Sequence, residues 1–138
     1  GRNLLLLGAT GVGKSHAAVA AAREVVRAGH GCLYWSVPEL LAAAHWEQEN
    51  HEGVLRRAQE VPVLLLDDLG AEGPNDWTQR VLYRLLEARC RDRRATIGTT
   101  NLEPDDLEEA LGPRSFSRLV GGAIVVRFVG DDRRRARP

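Results

Sequence analysis

Gly8-Ala9-Thr10-Gly11-Val12-Gly13-Lys14-Ser15 lies between two segments of opposite character. Before it, Asn3–Leu7 is a short continuous apolar run, the pattern of a strand buried on both faces. After it, Lys14–Ala28 is rich in Ala and Val at helical spacing and meets Gly29, a residue suited to stopping a helix. Strand, glycine loop and helix in that order fit G-x-x-x-x-G-K-[ST] at every position. Glycines let successive backbone N–H groups wrap a phosphate, and the helix N-terminus adds the positive end of its dipole. Gly8, Ala9, Thr10, Gly11, Val12, Gly13, Lys14 and Ser15, with His16 behind them, are therefore the expected nucleotide-binding residues. Lys14 is the only lysine among 19 basic residues, so a compact ammonium is kept for the phosphates while arginine serves elsewhere. The Ser15 hydroxyl is the expected magnesium ligand.

Working outward, the pattern alternates. Cys32–Val37 predicts a second strand. Ser36 and Glu39 have capping-box spacing with Pro38 between them, so a helix is expected from there to about Glu49. His51–Glu60 predicts a further short helix. Val61–Asp67 is the clearest strand, with Pro62 tolerable only near its beginning. Trp77, Val81, Leu82, Leu85 and Leu86 form one face of a long helix. Ala95–Thr99 and Ala123–Val129 predict two more strands, separated by short helices over Asp105–Leu111 and Arg114–Val120. Strands alternating with helices imply an α/β sandwich around a five-stranded parallel sheet. Residues 1–130 are expected to form one core and residues 131–138 a charged tail.

At 138 residues the chain suits one domain, and 43% hydrophobic with 28% charged residues excludes a disordered tail protein. Two distant cysteines, Cys32 and Cys90, exclude a disulfide scaffold and predict buried or neutral thiols in a reducing, cytoplasmic setting. No apolar run is long enough to span a bilayer. Nineteen basic residues balance nineteen acidic ones, so no global basic field announces nucleic acid. The chain has no methionine and begins with glycine, which predicts a domain excised from a longer protein.

Asp67 and Asp68 close the buried strand, at the edge where open α/β sheets bind ligands. Buried carboxylates there need a cation. Asp67 would hold the magnesium, directly or through a water, and Asp68 would orient or deprotonate an attacking water. A lone lysine rules out an Asn-Lys-x-Asp guanine reader. Trp46 would either stack on a base or pack against its own domain, and His45 and His51 lack the spacing of a metal pair.

Asp67-Asp68-Leu69-Gly70-Ala71-Glu72, Ala95-Thr96-Ile97-Gly98-Thr99-Thr100-Asn101, Ser36-Val37-Pro38-Glu39-Leu40-Leu41 and Ser117-Arg118-Leu119 together resemble the AAA+ ATPase domain of bacterial helicase loaders of the DnaI/DnaC type, with the transposition helper IstB as a near relative. The resemblance covers nearly the whole chain. It implies a three-layer P-loop NTPase without a separate C-terminal lid, binding ATP and Mg2+ and hydrolysing ATP weakly in isolation. It also implies that Asn101 contacts the γ-phosphate or the attacking water. Arg118 would be an arginine finger reaching a neighbouring copy's nucleotide, Arg114 its support, and Arg134, or Arg133 beside it, a further phosphate-sensing arginine. The implied partners are a replicative DNA helicase, gripped through a region upstream of this chain, single-stranded DNA, and further copies of the chain on the Arg118 side. Asp68 stands where related ATPases carry glutamate. A transposition helper ATPase and a nucleotide-binding adaptor with negligible hydrolysis remain the alternatives.

Overall fold

The carboxyl ends of the strands come together because every strand runs the same way. The computed structural model describes residues 2–130. The elements are β1 (Leu4–Leu7), α1 (Lys14–Arg27), β2 (Cys32–Ser36), α2 (Val37–Ala43), α3 (His51–Glu60), β3 (Val63–Asp67), α4 (Asp76–Arg91), β4 (Ala95–Thr100), α5 (Pro104–Leu111), α6 (Pro113–Val120) and β5 (Ile124–Arg127). The strands form one five-stranded parallel sheet in the order β2-β3-β4-β1-β5, so β4 separates β1 from β3. Leu7 pairs with Thr100 and Arg127, and Ser36 pairs with Asp67. The loop after β1, the acid at the end of β3 and the residue after β4 therefore share one edge.

The two faces bury different helices, which makes three layers. On one face Leu6, Leu65 and Ile97 pack against Ala18 of α1, and Ala17, Ala21 and Ala22 let the helix approach closely. On the other, Leu5, Leu7, Leu64 and Leu66 meet Leu40 and Leu41 of α2, Leu55 of α3, Val81, Leu82, Leu85 and Leu86 of α4, Leu107 of α5 and Leu119 of α6. Alternation along each strand sends successive leucines to opposite layers, so the apolar runs read from the sequence serve both.

Local chemistry sets most boundaries. Ser36 caps α2 by accepting from the Glu39 N–H at 3.3 Å, and Asn75 caps α4 by accepting from the Thr78 N–H at 3.0 Å. Three expected elements are shorter than the sequence suggests by two residues or more, among them β5, which spans Ile124–Arg127 rather than Ala123–Val129. α2 stops at Ala43 rather than near Glu49, because its buried face is complete at Ala44 and the following Trp46, Glu47, Gln48, Glu49 and Asn50 are all exposed. β3 starts at Val63, not Val61: the Val61 N–H closes α3 on the Arg57 carbonyl, and Pro62 has no N–H to give a ladder. Of the two thiols, Cys32 meets the expectation of a buried or neutral group and Cys90 is not buried. Cys90 is exposed, while Cys32 is half-buried, which pushes its thiol pKa up.

One buried charge ties the amino ends of the strands together. Arg89 of α4 is 1% exposed. It donates to Thr96 Oγ1 at 2.9 Å and to the carbonyls of Ala58 (2.9 Å), Val61 (2.7 Å) and Ala95 (2.5 Å), with longer bonds to Gln59 and Pro62. The guanidinium thus caps the C-terminus of α3, where carbonyls lack helical partners and the dipole is negative. Burial, and then the nearby Arg94, pull its pKa down to about 10.

Candidate nucleotide site

A cleft of about 600 Å³ opens at the carboxyl edge, lined by residues 10–17 together with Asp68, Asn101 and Phe128. Its floor is the loop between β1 and α1. Gly11 (φ 81°) and Gly13 (φ 96°) take left-handed conformations that suit glycine, and they turn the chain sharply into α1. Gly8 sits where β5 passes close by: a Cβ there would lie 2.4 Å from the Phe128 carbonyl oxygen. Lys14 opens α1 and is buried; its Nζ donates to the Ala9 carbonyl at 2.8 Å. His16, exposed on the first turn of α1, lines the same cleft.

Asp67 lies beside this loop and is 7% exposed. Its Oδ1 accepts from Ser15 Oγ at 2.8 Å and from Thr99 Oγ1, and its Oδ2 accepts from the Tyr34 hydroxyl at 3.0 Å. A hydroxyl that donates to a carboxylate keeps its own lone pairs for another acceptor of charge. Ser15 Oγ and Asp67 therefore present hard oxygen donors side by side, the donor set that suits a magnesium ion. Asp68 follows in the left-handed region at φ 62°, which a short acidic side chain tolerates better than most. Its N–H donates to Thr99 Oγ1 at 3.0 Å, and this turns the exposed carboxylate toward the cleft it lines. Asn101 is presented by Thr100, whose Oγ1 donates to the Leu69 carbonyl at 2.8 Å and accepts from the Leu102 N–H at 3.1 Å.

Arg114 and Arg118 do not line this cleft. Arg118 lies on α6, half-exposed, and its Nε donates to Glu87 of α4, which raises the guanidinium pKa. Arg114, one turn earlier, lies over the Tyr83 ring at 5.7 Å. Both line a separate surface depression with Tyr83, Pro113 and Ser117. Arg133 and Arg134 lie outside the described residues. Trp46 is 67% exposed rather than packed into its own domain, with its ring centroid 5.3 Å from that of His45. Sequence reasoning missed Tyr34, Thr99 and Phe128. Thr99 carried a signal, since it sits two residues before Asn101 at the end of an apolar strand. Tyr34 and Phe128 carried none, because only the strand order brings β2 beside β3 and β5 beside β1.

The family model described as IstB-like ATP binding protein matches residues 1–135. The chain belongs to this family. Among the family's curated relatives, the replicative helicase loader DnaI of Bacillus subtilis is 29% identical, over 97% of this chain and 48% of its own length. The insertion-sequence ATP-binding protein y4pL of Sinorhizobium fredii is 33% identical, over 96% of this chain and 57% of its own length. The chain thus spans about half the length of the curated relatives it matches. In solved structures, the DnaC helicase loader superposes with a TM-score of 0.81 at 27% identity, covering 93% of this chain and 78% of that one. The five-stranded parallel sheet and its helices are those of AAA+ P-loop domains. Among the described residues, no helix is long and apolar enough to cross a membrane.

Proposed function

We propose that the chain binds Mg-ATP and hydrolyses it as the AAA+ core of a DNA replication helicase loader. The observation that carries this reading is the bond from Ser15 Oγ to Asp67 at 2.8 Å, directly beside a glycine loop that ends in Lys14. Ser15 and Asp67 would hold the magnesium ion, which supplies charge neutralisation on the β- and γ-phosphates. The loop N–H groups and the α1 N-terminus bind the phosphate chain, and Lys14 leaves the Ala9 carbonyl to meet it. Asp68 accepts a proton from, or orients, the attacking water, and Asn101 holds that water or the γ-phosphate in line. Arg118 of a second copy supplies positive charge as the phosphoryl group transfers. Its place away from its own cleft supports that role in trans.

Similarity to the replicative helicase loaders DnaI and DnaC supports a helicase as partner, and single-stranded DNA is the second partner proposed. The exposed Trp46 would supply a stacking surface for a base. A second reading, an ATPase serving a transposase, is favoured by the 33% identity to the insertion-sequence relative. Single-turnover hydrolysis of ATP with Mg2+, with and without single-stranded DNA, tests the core of the proposal. Hydrolysis that requires Mg2+ and responds to DNA is expected. Tight binding without turnover would instead make the chain a nucleotide-binding adaptor. Capture on immobilised replicative helicase, with a transposase as the parallel bait, separates the two partner readings.

A further inference from the structure

Three hydroxyls converge on Asp67, and only two belong to elements the phosphate chemistry already explains. Ser15 and Thr99 reach Oδ1; Tyr34 alone reaches Oδ2, at 3.0 Å. Tyr34 is on β2, the edge strand, where it pairs with Leu65, while Asp67 pairs with Ser36. Tyr34 and Asp67 thus stand on the same face of the sheet as diagonal neighbours, roughly 7 Å apart at their Cβ atoms, a gap a tyrosine side chain spans. Tyr34 is 48% exposed as a residue, yet its hydroxyl turns inward onto the carboxylate of Asp67, which is 7% exposed. A tyrosine serving only to cover the sheet would leave its hydroxyl in water.

We propose that Tyr34 is a positioning residue for the divalent cation, fixing the plane of the Asp67 carboxylate by holding Oδ2 so that the remaining lone pairs face the position beside Ser15 Oγ. This rests on the reading of Ser15 and Asp67 as the pair that holds the cation. Bonds from Ser15 and Thr99 to one oxygen restrict rotation about the Cβ–Cγ torsion, but hydrogen bonds bend easily and leave the carboxylate a residual swing. A donor on the second oxygen stops that swing. Partners of this kind, which orient a metal-binding group without touching the metal, typically change metal affinity 10- to 100-fold.

Tyr34→Phe removes the hydroxyl and keeps the ring. The test measures affinity for ADP in EDTA, and Mn2+ affinity of the ADP complex by electron paramagnetic resonance, for wild type, Tyr34→Phe and Asp67→Asn. The proposal expects Tyr34→Phe to bind ADP in EDTA within about twofold of wild type and to bind Mn2+ roughly tenfold more weakly. Wild-type Mn2+ affinity in Tyr34→Phe would overturn it, as would an equal loss of ADP affinity in EDTA, which would place the hydroxyl on the nucleotide or in the fold. Wild-type Mn2+ affinity in Asp67→Asn would instead overturn the underlying reading of the cation site.

Discussion

Replacing Arg89 by methionine removes a buried charge and all of its donors while keeping a similar volume in the core. The outcome turns on two opposed effects. Four bonds at 2.5–2.9 Å, to Thr96, Ala58, Val61 and Ala95, stabilise the folded state. Bonds to a charged group are each worth roughly 1.5–3 kcal/mol net. Against them stands the desolvation of a guanidinium, several kcal/mol even after relaxation, which is also what pulls its pKa down to about 10. In addition, the substitution strands carbonyls that methionine leaves no room to hydrate, at about 1–3 kcal/mol for each that finds no partner. The balance favours arginine, and Arg89→Met is expected to cost about 3 kcal/mol. For a domain near this size that lowers the melting temperature by roughly 6–12 °C. Urea unfolding followed by circular dichroism measures it. ATP affinity at a temperature where the variant is folded is expected to stay unchanged, because Val61, Pro62 and Ala95 lie at the amino ends of β3 and β4 and the phosphate loop at the opposite edge. A variant as stable as wild type would refute the reasoning, since it would mean that the cost of burying the guanidinium cancels its bonds.

Lys14→Ala is expected to weaken ATP binding by a hundredfold or more, about 2.7 kcal/mol, and a fluorescent-nucleotide titration showing less than a threefold loss would remove Lys14 from the phosphate site. Asp68→Asn should leave ATP affinity unchanged and depress single-turnover hydrolysis; the reverse pattern would mean that Asp68 and Asp67 exchange roles. Arg118→Ala should spare ATP affinity of the single chain and lower hydrolysis only in assemblies. Mixing it with Lys14→Ala protein should restore part of the rate, and a mixture that co-assembles yet stays inactive would refute a role in trans.

What could be read in advance followed from how local each feature is. The glycine loop, the cap at Ser36 and the break at Pro62 depend on dihedral preference and on bonds within four residues, so residue identity is enough to find them. The Asp67 strand end was equally legible, because four apolar residues running into two acids leave few other meanings. The early end of α2 was not, since Glu47 and Gln48 are good helix formers in isolation. The helix stops because there is no further surface for it to cover.

By itself, then, the sequence determined the identity of the elements, the glycine loop and the acids beside it, all set by neighbours along the chain. Tertiary structure alone decided the rest. The order β2-β3-β4-β1-β5 brings Tyr34 to Asp67 across strands separated by 33 positions, and places β4, with Thr99 and Asn101, between the loop and the acid. α4 and α6 meet so that Arg118 pairs with Glu87, on a surface apart from its own cleft. Arg89 appears in sequence as one arginine among eighteen, and its burial depends on the C-terminus of α3 and the starts of β3 and β4 converging around it. The physical reason is the same each time: a hydrogen bond or charge acts through space over a few ångströms, and only the packed sheet brings residues far apart in sequence within that range.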